Sequence, residues 1–438
     1  MTTQLPAGRR MQNLIYRAGL YGRRPRVPVN STALQRAAAK KMSRRARGYI
    51  DGSAGSEATA AANRAAFDQW QLTPRVASPV TVRNTTIELL GEQLSSPFLL
   101  APIGVAEMVH RSADLATAAA ARTTGVPMTV STQASVPMEK ISTVLQGAPW
   151  FYQLYWGTSD DVAFSMVRRA ERAGAAAIVV TLDTFMLGWR TRDLDNGFLP
   201  FAHGMGIGQY ISDPEFAKLV EERVRTGTTG NSKATPRPTP AALRALINMS
   251  KRYPGSLRGN LRSPYPRAAV ETFLDTFSRT NLEWSDLARL GDITDLPIVI
   301  KGIQHPEDAQ QAQRLGFDAL WVSNHGGRQL DGATASLDAL VAVRNAIGAA
   351  MPVIFDSGVR TATDAIKALA LGASAVGIGR PYLYGLALDG AAGVASVLDY
   401  FRAELDISLG LIGVTDINDL STEHVERVDA QRHRGAGA

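Results

Sequence analysis

The 438-residue sequence predicts an α/β fold, a (β/α)8 TIM barrel, and three observations carry that expectation. From about residue 98 onward, short β-branched or apolar runs alternate with longer alanine-rich stretches of helical character, the pattern of βα units in a parallel sheet. Eight such runs fall within about 290 residues, the number a closed barrel needs. The helical stretches stop on glycine, as a left-handed C-cap requires. The alternation by itself also admits a doubly wound open sheet.

In chain order the strands are read at Phe98–Pro102, Pro127–Val130, Trp150–Leu154, Ala177–Asp183, Pro297–Lys301, Ala319–Asn324, Pro352–Asp356 and Ala375–Gly379. Helices are expected at Asp160–Ala173, Pro306–Leu315 and Thr361–Leu371, closed by Gly174, Gly316 and Gly372. Residues 1–97 read as a helical and hairpin extension packed on the barrel, 98–397 as the barrel, and 398–438 as a C-terminal helix with a ragged polar tail. One connection is out of proportion. Residues 204–266, between the fourth and fifth strands, are rich in Gly, Pro, Thr and Arg, including Gly227–Gly230 and Pro236–Pro240. A connection of that length is expected to be a lid or binding loop.

Composition narrows the chemistry. The chain is 45% hydrophobic and 20% charged and has no cysteine, which suits a large core and removes disulfides, thiolate metal ligands and cysteine nucleophiles. A cytoplasmic location is expected. The longest mostly apolar run, Phe98 to Val109, is broken by Pro102 and Glu107 and falls well short of the ~18 residues that span a bilayer, so no stable membrane insertion is expected. The net charge of +7 is uneven: residues 1–48 hold twelve Lys and Arg and no Asp or Glu, which leaves the rest at net −5. Such a segment reads either as an Arg-rich targeting peptide or as helices with a solvated basic face. With the body of the chain acidic, no nucleic-acid partner is expected.

The C-terminal ends of the proposed strands, which form the active face of a barrel, carry Ala101–Gly104, Ser131–Thr132, Gln153–Tyr155, Thr181–Asp183, Lys301–Gly302, Ser323–Arg328, Asp356–Arg360 and Gly377–Arg380. Gly358, Arg360, Gly379 and Arg380 offer backbone N–H groups and guanidinium forks after strands seven and eight, where barrels commonly hold a phosphate. A phosphorylated cofactor is implied. The six histidines (His110, His203, His305, His325, His424, His433) show no metal-like spacing. His325 alone sits in a glycine-punctuated strand end with an arginine three residues on, and Asp183 on another strand end could orient it as a general base. Arg190 and Arg328 supply two forks suited to a substrate carboxylate. The same residues would also serve a phosphate-binding isomerase barrel or a non-catalytic module.

Ser323-Asn-His-Gly-Gly-Arg-Gln-Leu-Asp331, Lys301-Gly302, Asp356-Ser-Gly-Val-Arg360 and Gly379-Arg-Pro381 closely resemble the FMN-dependent L-2-hydroxy acid oxidase family, in order and spacing, from about Asn13 to the C-terminal helix. The resemblance implies a TIM barrel that binds FMN and oxidises a small L-2-hydroxy acid. It implies that His325 takes the substrate hydroxyl proton as the Cα hydrogen leaves for the flavin, that Asp183 stabilises the imidazolium, and that Arg190 and Arg328 bind the carboxylate. Tyr49 and Tyr155 match two substrate-binding tyrosines, and Lys301 would hold negative charge at the N1–O2 edge of the flavin. Pro102, Ile103, Gly104, Ser131, Gln153, Thr181 and Ser323 match segments lining the flavin ring. Asp356, Ser357, Gly358, Val359, Arg360, Gly379 and Arg380 match its ribityl-phosphate site. The family also implies a homotetramer or homo-octamer.

Within the family, Ala101-Pro-Ile-Gly-Val105, Leu187-Gly-Trp-Arg-Thr-Arg-Asp193 and Lys301-Gly-Ile-Gln-His-Pro306 resemble lactate 2-monooxygenase. Glycine at 104, where oxidases usually carry alanine, would leave room that favours reaction with oxygen. A lid over 204–266 would retain the keto acid for oxidative decarboxylation. The alternatives are an oxidase releasing hydrogen peroxide and a dehydrogenase passing electrons to a quinone or other carrier. Leu330-Asp331 follows the general oxidase pattern. Gln133 is polar where the family lines its side-chain pocket with apolar or aromatic groups, which points to a substrate other than lactate.

Overall fold

The computed structural model describes residues 5–227 and 239–428. Eight parallel strands close into a barrel in chain order: Phe98–Leu100, Met128–Ser131, Trp150–Leu154, Ala177–Thr181, Ile298–Ile303, Ala319–Val322, Val353–Phe355 and Ala375–Ile378. Pairing of Val376, Gly377 and Ile378 with Phe98, Leu99 and Leu100 joins the last strand to the first, which excludes the open sheet. All eight expected strands are present within a residue or two of their expected bounds. Their residues are buried throughout, Gly302 being only partly so, because helices cover the outer face and side chains fill the inside.

Local chemistry explains the helices that cover this sheet. Asp160–Arg172 starts behind the Ser159 side chain with two aspartates in its first turn, a favourable charge at the positive end of the helix dipole. Pro306–Arg314 has proline at its start and Glu307 and Asp308 behind it. Ala362–Ala370 opens on a reciprocal capping box between Thr361 and Asp364.

The disproportionate connection is largely helical rather than a loop. Gly208–Ile211, Pro214–Thr226, Pro240–Arg252, Leu257–Asn260 and Tyr265–Thr276 occupy most of it. Its start signals are legible in hindsight: Asp213 caps the backbone of Glu215 and Phe216 ahead of Pro214, and Thr239 caps Ala242 ahead of Pro240. The insert is bolted to the barrel. Buried Arg169 binds Asp213 at 3.0 Å and Glu139 at 2.8 Å, and Arg252 binds Glu107 at 2.7 Å. Most of the Gly227–Gly230 and Pro236–Pro240 stretch, residues 228–238, lies outside the described residues.

The two ends of the chain meet. Helices Ala7–Leu20, Ser31–Lys41, Arg44–Asp51 and Ala58–Asp68 precede strand Trp70–Leu72 and a hairpin of Ile87–Leu89 and Glu92–Leu94. Trp70–Leu72 pairs antiparallel with Val425–Arg427, so the part of the expected ragged tail up to residue 428 is ordered. The last helix starts earlier than expected, at Arg380. It runs to Leu411 with a break at Asp389 and Gly390, so residue 398 falls inside it. Residues 429–438 of the expected tail lie outside the described residues.

Asp406 on this helix receives Arg83 at 2.8 and 3.0 Å and the Gly8 backbone N–H at 2.8 Å. Asp406→Ala strands a nearly buried guanidinium and is expected to lower the free energy of unfolding by about 3 kcal/mol. A shift of the urea midpoint, with unchanged circular dichroism at zero denaturant, checks it.

Candidate active site

All eight strands run the same way, so their C-terminal ends converge on one rim, where a cleft opens. Tyr49, Pro102, Ile103, Gly104, Tyr155, Arg190, Lys301, His325, Arg328, Asp356, Ser357, Gly358, Val359, Arg360, Gly379 and Arg380 all line it. Ser131, Gln153, Thr181, Asp183 and Ser323 stand one layer behind, on or just past the strand ends.

His325 is held in the left-handed region, with φ 58°, by a Ser323 hydroxyl that accepts its backbone N–H at 3.0 Å. Histidine tolerates this conformation better than most residues, and such outliers gather where a side chain must be aimed. Its Nδ1 lies 3.1 Å from Asp183 Oδ1 and 3.2 Å from Thr184 Oγ1, while Nε2 lies 3.5 Å from the Tyr155 hydroxyl. Thr184 in turn donates to Asp183 Oδ1 at 3.0 Å. Two oxygens on Nδ1 place the proton there, which leaves the Nε2 lone pair toward the cleft. Burial pushes the His325 pKa below the ordinary 6.5 and outweighs the opposing pull of Asp183, so the imidazole is neutral near pH 7. Burial also opposes ionisation of Asp183, but the charges of His325 and Lys301 overcome it and hold that carboxyl below its usual range.

Strands four and five approach closely enough for this only because residue 302 is glycine. It sits at a register shift with φ 99°, and a Cβ there would lie 2.8 Å from the backbone and Cβ of Asp183. Next to it Lys301, nearly fully buried, binds Asp356 at 2.9 Å and Ser323 Oγ at 2.7 Å. Ser323 and Ser357 both donate to Asp356 Oδ1, at 2.6 and 2.8 Å.

Four arginines in the cleft wall have no carboxylate within ion-pair distance among the described residues. Arg328 donates to the carbonyls of Tyr49 and Gly52 and stacks 4.9 Å over the Tyr49 ring. Arg190 reaches the Arg328 carbonyl at 3.3 Å and Gln329 Oε1 at 2.9 Å. Burial, aided by the charge of Arg190, pushes the Arg328 pKa down to about 9. Arg380 lies beside Arg328, sharing the Gly52 carbonyl with it at 3.3 Å, and also donates to Ile50 O at 2.9 Å and Ser53 Oγ at 3.0 Å, while the Arg360 side chain reaches its neighbour's carbonyl. Burial pushes Arg360 down to about 10, with the charge of Arg380 adding to the effect. Desolvated cations that no carboxylate compensates call for anions from outside the chain.

The residues fit FMN on this structure's own terms. Gln153 Nε2 and Thr181 Oγ1 are buried behind the cleft and have no partner among the described residues. Leaving two such groups unpaired is costly, by about 1–3 kcal/mol each, and a ring edge carrying carbonyl and N–H groups would satisfy them. Lys301, Gln153 and Thr181 would hold that ring; Ser357–Arg360, Gly379 and Arg380 would hold the phosphate.

Sequence reasoning missed several residues that the fold brings in. Thr184 was adjacent to a candidate yet carried no signal of its own. Asn63, on the N-terminal helix, exchanges paired amide hydrogen bonds of 2.7 Å with Asn324 beside the base. Phe201 and Phe277 reach the cleft from either end of the insert. Asp331 anchors the start of the Ala58–Asp68 helix by accepting from Ser56 and Thr59. One expectation needs correcting: Gly104 does not leave open room. A Cβ there would lie 2.7 Å from the Cβ of Gln133 and 2.9 Å from its carbonyl, so that space is already filled.

A barrel whose rim offers a carboxylate-oriented histidine, a buried lysine and four arginines without carboxylate partners among the described residues fits a flavin-dependent hydroxy acid oxidoreductase. Comparison with known proteins agrees: residues 38–427 match the FMN-dependent dehydrogenase family, and the chain belongs to it. It is 39% identical over 395 residues to an L-lactate oxidase of Lysinibacillus sphaericus (strain C3-41), covering 90% of this chain and 92% of the relative. It is 37% identical over 418 residues to an FMN-dependent alpha-hydroxy acid dehydrogenase of Penicillium citrinum, covering 95% of each. Among solved structures, mandelate oxidase with (S)-4-hydroxymandelic acid superimposes with a TM-score of 0.73 at 31% identity, over 91% of this chain and 98% of that one. The cofactor is therefore FMN and the reaction the oxidation of a 2-hydroxy acid.

Arg360→Ala is expected to weaken FMN binding about 30-fold, the effect of losing one charge-assisted contact. Quenching of FMN fluorescence on titration with apoprotein measures it.

Proposed function

We propose that this protein oxidises a small L-2-hydroxy acid with oxygen as the electron acceptor and decarboxylates the keto acid before releasing it, as lactate 2-monooxygenase does. The observation that carries the first part is the neutral His325, fixed by Asp183, in the same cleft as the unpaired Arg190 and Arg328. FMN, when bound, would supply the two-electron acceptor for the substrate's Cα hydrogen and pass the electrons on to oxygen; the hydrogen peroxide so formed, held with the keto acid, is the oxidant that converts it to the shorter carboxylic acid, carbon dioxide and water.

The chain's own groups do the rest. Arg190 and Arg328 hold the substrate carboxylate by two guanidinium forks, with Tyr49 beneath Arg328. The hydroxyl then faces Nε2 of His325, which accepts its proton, and Asp183 on Nδ1 stabilises the imidazolium that results. The Tyr155 hydroxyl stays protonated, because burial pushes its pKa well above the usual phenol range, and can donate to the developing oxyanion. Lys301 holds a fixed positive charge at the base of the cleft, oriented by Asp356 and Ser323. Gln329 pins the loop that carries Arg190 by donating to the carbonyls of Asp183 and Met186 at 2.9 Å each.

Retention of the keto acid is supported by the contacts that tie the start of the insert to the barrel and by residues outside the insert that wall the cleft. Phe201, Phe277 and Leu187 line it, the Gly206 N–H reaches Glu107 at 3.1 Å, and the Gly208 N–H reaches the Ala134 carbonyl at 3.1 Å. An enclosed site keeps products together and excludes water.

Anaerobic addition of L-2-hydroxy acids should bleach the flavin absorbance, and admission of air should then yield the carboxylic acid one carbon shorter. Intact keto acid with stoichiometric hydrogen peroxide would instead mark an oxidase, and bleached flavin that air does not restore would mark a dehydrogenase. His325→Ala should keep the yellow cofactor and slow bleaching by at least about 10³-fold; retained turnover would remove His325 from the role of base. Protonated His325 cannot accept a proton, so the bleaching rate constant divided by the substrate Kd should fall as pH drops through its pKa. That acid limb should lie below pH 6.5, and a limb centred above that value would contradict the neutral imidazole.

A further inference from the structure

We propose that Gln133 selects a 2-hydroxy acid whose side chain carries a neutral hydrogen-bonding group, such as a hydroxyl or carbonyl on C3, rather than a plain alkyl chain. The proposal rests on the hydroxy acid oxidation described above and narrows its substrate.

The backbone of Gln133 is pinned on both sides: its N–H donates to Ser131 Oγ at 3.1 Å, and its carbonyl accepts from Val105 N at 2.9 Å. Two glycines make this seat possible. A Cβ at Gly104 would lie 2.7 Å from the Cβ of Gln133, and one at Gly206 would lie 3.0 Å from its carbonyl. The residue is only 7% exposed and lines the cleft, yet its carboxamide has no hydrogen-bond partner among the described residues. Its amide atoms are not among the fully buried unpaired ones, as Gln153 Nε2 is, so its two donors and its acceptor open onto the cleft. Its natural partner is therefore the cleft's occupant.

The position of the amide sets which part of the substrate it meets. Tyr49, Arg190 and Arg328 take the carboxylate end, and Ser357, Arg360 and Arg380 take the cofactor phosphate. The wall that remains for the substituent on Cα is Leu187, Phe201 and Phe277 with Gln133. Three apolar groups and one amide suit a short side chain with a single polar atom. A second carboxylate is disfavoured there, because none of these four residues carries a positive charge. A site built to hydrogen-bond a substrate group discriminates strongly against the analogue that lacks it.

The test compares anaerobic flavin bleaching by L-2,3-dihydroxypropanoate and by L-lactate in the wild-type holoenzyme and in Gln133→Met, which keeps the volume and removes the amide. The wild type should favour the dihydroxy acid in bleaching rate over Kd, and Gln133→Met should shift the ratio toward lactate at least tenfold. The shift should fall mainly in Kd, with the limiting bleaching rate for lactate retained. Perturbation of the oxidised flavin spectrum by 3-hydroxypyruvate and pyruvate should show the same reversal without turnover. Gly104→Ala, which displaces Gln133, should weaken the dihydroxy acid more than lactate. An unchanged ratio in Gln133→Met, or a wild type that prefers lactate, would overturn the proposal and leave hydroxy acid oxidation standing. Failure of both acids and of longer 2-hydroxy acids to bleach bound flavin would overturn the proposed function itself.

Discussion

Closure of the parallel sheet is the constraint on which the site depends. Once Val376–Ile378 pair with Phe98–Leu100, all eight strands point the same way around a ring, and residues hundreds of positions apart come within hydrogen-bonding distance at one rim. His325 meets Asp183 because strands four, five and six are neighbours in that ring. The glycine bulge at Gly302 supplies the last adjustment. An open sheet of the same strands would leave strands one and eight on separate edges, and with them Gly104 and the phosphate-side Arg380.

Electrostatics then set the character of the rim. Lys301 is the one cation of the cleft floor with a carboxylate partner, Asp356. Arg190, Arg328, Arg360 and Arg380 lack one among the described residues, and burial lowers the pKa of Arg328 and Arg360 in consequence. Arg328 and Arg380 meet at the Gly52 carbonyl, so their charges add in one part of the cleft wall. The neutral His325 lines the same cleft, so a proton can be accepted where positive charge gathers an anion. Attraction of that substrate owes nothing to the overall charge of +7, since the body of the chain beyond residue 48 is net negative. Nine of the twelve N-terminal cations lie on helices, with Arg23, Arg24 and Arg26 in the connection between the first two, and Gly8 docks against Asp406 of the last helix. The excess is therefore a basic face of the folded protein. Among the described residues no helix is long and apolar enough to cross a membrane.

Much of the barrel was legible because its signals are local. Fully buried parallel strands are continuous apolar runs, and their helices are bracketed by caps and glycines. The resemblance to hydroxy acid oxidases rested on the same strand ends, where spacing along the chain mirrors position around the ring. The insert was legible only as a long connection: its glycines and prolines suggested a loop, although Asp213-Pro214 and Thr239-Pro240 are helix starts. Gly104 was misread for a related reason. A missing Cβ reads as space in a sequence, but whether the space is vacant depends on what packs there, and Gln133 comes from a different strand end.

The sequence alone therefore determined the order and identity of the groups at each strand end, the arginines offered there as candidate anion binders, and the choice of His325 over five other histidines. Those follow from periodicity and local turn chemistry, which neighbouring residues encode. Only the tertiary structure decided which imidazole nitrogen faces the cleft, that Thr184 and Asn63 brace the base, and that phenylalanines flanking the insert enclose the substrate end. It alone revealed that the carboxamide of Gln133 opens onto the cleft without a partner among the described residues. Those depend on long-range packing, where burial and the matching of donors to acceptors are settled by residues that have no neighbourhood in the chain.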